Sequence, residues 1–170
     1  MKLNVAAELK IPGRVGECVL TEPFAEMEYL GRPLRFLGPI TLKASYVYDG
    51  KGFSVKGSLE GTLDSECARC GKQFAEPFAT EIDERFVKGT TDEDDDVYFF
   101  DGETLDFSEM VRDNILLHLP MASVCSEDCQ GLCPICGCNL NTAQCSCKHE
   151  ERRQGPLSAL EQLLKDDKEV

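Results

Sequence analysis

Ten cysteines in 170 residues, most of them in close pairs, restrict this chain more than any other feature. Cys67-Ala68-Arg69-Cys70 stands alone in the middle. Cys125, Cys129, Cys133 and Cys136 follow far downstream at short gaps, trailed by Cys138 and then by Cys145-Ser146-Cys147. Four soft anionic sulfurs that must reach one tetrahedral centre at about 2.3 Å per bond need such short spacings. Eight of the ten therefore read as two four-thiolate metal centres. Disulfides are the competing reading. They suit an oxidising compartment, whereas the first eight residues hold only a broken apolar stretch, interrupted by Asn4 and ended by Glu8. That is too short for a secretory leader. No apolar run approaches the roughly 20 residues of a membrane span. A cytoplasmic chain with reduced thiols and no membrane contact is expected.

The favoured partition places Cys67, Cys70, Cys125 and Cys129 at one centre and Cys133, Cys136, Cys145 and Cys147 at the other. The first would staple a β-domain to the segment after its helix, closing a long loop that short elements alone would not fix. The second would be local, almost wholly within residues 133–147. Crossed pairing, with Cys67 and Cys70 meeting Cys133 and Cys136, stays open, as does a single metal with idle thiols. Two zinc ions are the expected cofactors, preferred over rubredoxin-like iron because nothing else here suggests electron transfer. Cys18 reads as a small buried hydrophobe, Cys138 as a spare beside a knuckle, and His149 as a less favoured substitute ligand.

Around the cysteines the pattern is mostly β. Proline-containing pairs break the first 40 residues into short pieces. From Ile40 to Tyr48 apolar and polar residues alternate, Asp49-Gly50-Lys51-Gly52 is a hairpin turn, and Phe53, Val55, Leu59 and Leu63 continue the alternation with Gly57 and Gly61 on the apolar face. Those glycines predict a bend, a bulge or close backbone packing. Phe74, Phe78, Ile82 and Phe86 share the parity of a third strand, and Pro77 predicts an edge or break near its start. The Cys67–Cys70 pair then falls in a strand turn, where Gly71 lets backbone amides point at sulfur. Residues 88–104 read as a solvated acidic loop, with a short strand over Val97–Phe100. Asp106 reads as a helix N-cap with Glu109 completing a capping box. The helix stops near Leu119 because Pro120 restricts the residue before it, and His118 on it is a packed or partly exposed histidine. Leu157, Leu160, Leu163 and Leu164 give a short helix that is marginal in isolation.

The expected fold class is α+β: an antiparallel β-meander or small barrel-like domain with one main helix and a C-terminal Cys-rich zinc-binding module. Residues 1–120 would form the β-rich domain, 121–150 the zinc module and 151–170 the terminal helix.

Net charge is −13, and residues 88–110 alone carry one lysine against nine acids. Two four-thiolate zinc centres would bring the total to about −17. Such a surface repels a bare phosphate backbone over most of its area and suits basic partners.

In order along the chain come Glu66-Cys67-Ala68-Arg69-Cys70-Gly71, an acidic stretch, the helix with Asp106-Phe107 and Met110-Val111, and Leu119-Pro120. Cys129-Gln130-Gly131-Leu132-Cys133-Pro134-Ile135-Cys136-Gly137, Asn139-Leu140-Asn141 and Cys145-x-Cys147 follow. Over about residues 35–165 this resembles the YceD family of bacteria and plastids. The resemblance implies a role in accumulation of large-subunit ribosomal RNA, hence in ribosome biogenesis, and brings no catalytic residues with it. The expected partner is a ribosomal protein or assembly factor, with ribosomal RNA as an alternative and no small-molecule substrate. For RNA, Arg32, Arg35, Lys43, Arg69 and Lys72 would form a basic patch, with Tyr46, Tyr48 or Phe74 for stacking. An enzyme is not expected. Hydrolytic zinc keeps an open position and favours histidine or carboxylate ligands, and the chain has two histidines and no HExxH. A thiol-based redox sensor is the other alternative, since clustered thiolates oxidise.

Overall fold

The computed structural model describes residues 1–29, 31–89 and 97–147. The acidic run 92–96, His149 and the expected helix over 156–164 lie outside them. The chain divides into two compact units, Met1–Asp128 and Cys129–Val170.

The first unit is built on a five-stranded sheet. In chain order its elements are β1 (Lys2–Asn4), α1 (Ala6–Leu9), β2 (Val15–Glu22), β3 (Met27–Tyr29), β4 (Arg32–Leu34), β5 (Ile40–Tyr48), β6 (Gly52–Glu66), β7 (Gln73–Lys88), β8 (Tyr98–Phe100), β9 (Thr104–Asp106) and α2 (Ser108–His118). The main sheet runs β2-β5-β6-β7-β8, while β1 pairs with β9 and β3 with β4. Its centre is a meander, with β6 and β7 pairing along fifteen positions from Gly52↔Val87 to Glu66↔Gln73. Two expectations need correction. The sheet does not close: β2 and β8 are its two edges, so among the described residues there is no barrel. Nor is it wholly antiparallel, because β8 joins β7 in parallel, with Phe86 opposite Tyr98. The physical reason lies in the rings: Phe86 and Tyr98 have centroids 5.4 Å apart, and Phe100 meets Phe53 edge-on at 5.3 Å. Aligning β8 with β7 puts Tyr98 and Phe100, two of the three aromatics of β8, against the core.

Alternation along the strands sets the two faces. Ile40, Leu42, Ala44 and Tyr46 point inward from β5; Phe53, Val55 and Leu59 from β6; Ile82 and Phe86 from β7. α2 packs Met110, Val111 and Ile115 into the same cluster, with Leu105 and Phe107 from just before it. Gly57 makes the close packing possible. A Cβ there would run into the Lys43 carbonyl oxygen and lie 2.7 Å from the Ala44 Cα. Both are backbone of the paired strand and cannot give way without opening the ladder. Gly57→Ala should therefore cost about 1–3 kcal/mol as overpacking does; an unchanged midpoint in urea unfolding would refute the close approach. Pro77 sits in unbroken strand opposite Thr62. It is tolerated because β8 pairs only with Phe86–Lys88, leaving that stretch of β7 with one neighbour.

The β5–β6 turn is fixed by Asp49, whose carboxylate accepts from the Lys51 and Gly52 amides at 2.8 Å and from Arg85 Nη2 at 2.7 Å. The Arg85 guanidinium, then the turn amides, hold its carboxyl far below the usual range. A depressed folded-state value stabilises above the unfolded value of about 3.9 and fades as pH falls through the folded one. Asp49→Ala should accordingly melt below the wild type at neutral pH, with the gap narrowing in strong acid. A gap independent of pH would reject this account.

The helix cap falls one residue later than the capping box predicts. Phe107 takes the N-cap position without a side-chain bond, and Asp106 accepts from the Ser108 amide at 3.0 Å. Phe107 is wholly buried, and its ring meets Phe86 edge-on at 5.5 Å. Core packing, more than cap chemistry, sets where the helix begins. It ends where Pro120 demands, with Leu119 already extended.

Candidate metal centres

Cys67 and Cys70 lie in the turn that joins β6 to β7. The turn is closed by the Cys67 amide donating to the Lys72 carbonyl (2.9 Å) and the Gly71 amide donating to the Cys67 carbonyl (2.9 Å), with Gly71 at φ +69°. The second unit repeats this turn almost bond for bond. The Cys133 amide donates to the Cys138 carbonyl and the Gly137 amide to the Cys133 carbonyl, both at 2.8 Å, with Gly137 at φ +72°. Only glycine takes that left-handed conformation without penalty, so both Cys-x-x-Cys-Gly segments fold alike. In this geometry amides face the first sulfur. The Ile135 N–H lies 3.4 Å from Cys133 Sγ.

The segment after α2 reaches the first knuckle through two contacts and the start of β7 through a third. The Ala68 amide donates to the Ser123 carbonyl (2.8 Å), Arg69 Nη1 donates to the Glu127 carbonyl (2.8 Å), and Ser123 Oγ donates to Glu76 Oε2 (2.6 Å). Chain positions 55 apart are thereby aligned, and Cys70 Sγ lies 3.8 Å from Cys125 Sγ. That is far beyond a disulfide. It equals the edge of a tetrahedron with arms of about 2.3 Å, roughly 3.8 Å, the geometry of a shared Zn–S centre.

The sulfurs of Cys67, Cys70, Cys125 and Cys129 all lie within 4.8 Å of one another, and so do those of Cys133, Cys136, Cys145 and Cys147. This is the favoured partition, not the crossed one. No disulfide joins any of the ten cysteines, all of which lie among the described residues, and each tetrad could hold a metal ion. Cys67, Cys70, Cys129 and Cys133 are buried, Cys125, Cys145 and Cys147 half-buried, and Cys136 is exposed.

Amide donors make the first cysteine of each knuckle acidic. The Cys125 amide, with those of Cys70 and Arg69, lowers the Cys67 thiol to about 6. The Cys136 and Ile135 amides do the same for Cys133. Cys147 and Cys138 are pushed up to about 12, chiefly because each thiol hydrogen-bonds to Cys136. Cys138 thus stands beside the second tetrad, while its carbonyl helps shape the knuckle.

Two supporting groups were not legible as such. Asn141 Nδ2 reaches Cys129 Sγ at 3.4 Å, while its Oδ1 accepts from the Gln130 amide at 2.8 Å. Asn139 in turn accepts from the Asn141 amide and side chain. Such partners orient a ligand as the shell around a metal site does. Their only signal in the sequence is the Asn139-Leu140-Asn141 spacing. The basic patch is not assembled as expected. Tyr46 is a core residue, 6% exposed, not a stacking platform. Tyr48 packs on Phe53 at 5.0 Å. Lys43 is held by Glu60 at 2.8 Å and Arg35 by Glu26 at 3.4 Å.

A sheet-based unit with one Cys-x-x-Cys-Gly knuckle and a second unit with another, each knuckle grouped with two further thiols, define a protein with paired candidate four-cysteine metal centres. The chain belongs to the YceD family: the family described as "Large ribosomal RNA subunit accumulation protein YceD" matches residues 55–164, a span that contains both tetrads. It is 30% identical to the YlbN protein of Bacillus subtilis over 173 residues, covering 99% of each chain. A Mycobacterium tuberculosis protein is 34% identical over 51% of this chain and 44% of its own. The chloroplastic large ribosomal RNA subunit accumulation protein YCED homolog 1 of Arabidopsis thaliana is 36% identical over 35% of this chain, which is 19% of the plant protein. No solved structure matches the chain. No helix among the described residues is long and apolar enough to cross a membrane.

Proposed function

We propose that this chain is a non-enzymatic ribosome biogenesis factor of the cytoplasm, supporting accumulation of large-subunit ribosomal RNA by binding a basic ribosomal protein or assembly factor. The observation that carries this reading is the family match over residues 55–164, together with the names borne by its plant relatives. The arrangement of the cysteines agrees with it. Each tetrad supplies four thiols and leaves no open coordination position, the donor set of structural zinc and not of hydrolytic zinc. Cys67, Cys70, Cys125 and Cys129 would hold one ion, and Cys133, Cys136, Cys145 and Cys147 the other. Zinc fits this all-sulfur set, since soft ligands select it and it needs no redox partner.

Binding to protein is favoured over direct RNA binding. Net charge −13 opposes phosphate, and the cations best placed for a patch face acids of this same chain. Affinity purification from native cells, with partner identification and metal content from one sample, tests the reading. Ribosomal or assembly proteins and two zinc equivalents are expected, along with reduced large subunits on depletion. Normal subunit profiles on depletion, with no ribosome-related partner recovered, would sink it.

A further inference from the structure

Between the β3–β4 hairpin and the knuckle end of the β6–β7 ribbon lies an open groove of about 750 Å³. That is within the range of about 300–1,000 Å³ typical of ligand clefts. Its lining is mixed, with Leu34, Leu63, Leu119, Pro120 and Met121 as the apolar part. Met121 stands fully exposed. Leu63, Glu76, Leu119 and Pro120 also line a smaller cleft of about 260 Å³, walled by Phe78 and Ile115. The two spaces share these four lining residues and together make up the trough; Glu76 and His118 are the titratable groups of the smaller cleft.

The rim is acidic. Asp64, Glu66 and Glu76 line the trough, and among the described residues no cation stands within ion-pair distance of any of them. The contrast is with the sheet's solvent face, where Glu60 is paired with Lys43 and Asp83 with Lys56. Arg35, the cation lining the trough, is turned to Glu26. We propose that this trough binds an extended, lysine- or arginine-rich peptide segment that places one apolar side chain in the smaller cleft. Three unneutralised carboxylates attract such a segment and repel nucleic acid. The apolar part of the lining, with its exposed methionine, gives an adaptable anchor site. The proposal deepens the reading that the partner is basic, and rests on it for its biological meaning.

Fluorescence anisotropy on the full, metal-loaded chain tests it with three peptides: lysine alternating with leucine, lysine with serine, and glutamate with leucine. The lysine–leucine peptide should bind at least about tenfold tighter than either other, more weakly as salt rises. Met121→Asp and Asp64→Lys should each weaken it about tenfold, the size of a hot-spot loss. Asp83→Lys, on the solvent face, should not. Thermal melts of the same variants check folding. Equal binding of the lysine–serine peptide would overturn the groove in favour of diffuse attraction to an acidic chain. Wild-type affinity in both groove variants would overturn it too. Competition by oligouridylate would reassign the trough to RNA, and self-association abolished by Met121→Asp would reassign it to a second copy. The two readings fail separately. If the groove variants still recover ribosomal partners from cells, the trough is wrong and the function stands; if the peptide binds there but depletion leaves subunits normal, the reverse holds.

Discussion

Cys70→Ser should remove one of two metal equivalents and lower the melting temperature of the first unit by about 10 °C, whereas Cys136→Ser should remove the other equivalent with a much smaller shift. The difference follows from loop length. Cys70 and Cys125 are 55 positions apart. Holding them at one centre restricts the unfolded chain as a crosslink does, worth roughly 4 kcal/mol for a loop of that size. In a chain of this length each kcal/mol moves the melting temperature by about 2–4 °C. The second tetrad closes only the short span from Cys133 to Cys147, so its loss should unfold that module and little else. Metal content by atomic spectrometry and melting by circular dichroism decide the matter. Two equivalents retained in Cys70→Ser would exclude it as a ligand, and a lost equivalent with an unmoved melt would exclude the staple. A chelator strong enough to strip both centres should give the combined shift of the two variants, because binding free energy at a structural zinc site is folding free energy.

The close pairs of thiols were legible from their short spacings, but which pairs share a centre was not, since Cys70 and Cys125 are 55 positions apart and the crossed pairing stayed open. The glycines after Cys70 and Cys136 marked both knuckles by conformational need alone. The β5–β6 hairpin and the end of α2 were legible for the same kind of reason: each depends on a few adjacent residues, Asp49 to Gly52 in one case and Pro120 in the other. What could not be read depends on partners distant in sequence. β1 pairs with β9, with Leu3 opposite Leu105, and no local pattern in three residues announces that. β2 was invisible for a different reason. On an edge strand Val15 and Val19 face solvent, so alternation between apolar and polar residues is lost, and the register with β5 is set by Cys18, Leu20 and their cross-strand neighbours. The trough was equally hidden, since its apolar lining gathers side chains from β4, β6 and the segment after α2.

Phe86→Ala should destabilise the first unit by about 3–5 kcal/mol while leaving two metal equivalents bound. Phe86 is wholly buried and touches two rings, Phe107 at 5.5 Å and Tyr98 at 5.4 Å. Truncation loses the transferred ring area, both ring contacts and the space between β7, β8 and α2. Against a total stability of about 5–15 kcal/mol that is a large fraction. Yet the metal centres should not notice it. Glu76, at the knuckle end of β7, is ten residues from Phe86, about 33 Å along an extended strand. Cys67 and Cys70 are buried but stand outside the hydrophobic cluster that contains Phe86. On the proposed reading the fold has two separate sources of order, an aromatic core at one end of the β6–β7 ribbon and metal-bound thiols at the other. Urea unfolding at fixed free zinc, with metal release followed by a chromogenic chelator, distinguishes them. In Phe86→Ala the core transition should move to lower urea while zinc release from the native state stays at its wild-type rate. If zinc is lost in step with the weakened core, the ribbon behaves as one cooperative block and the knuckle borrows its stability from the aromatics.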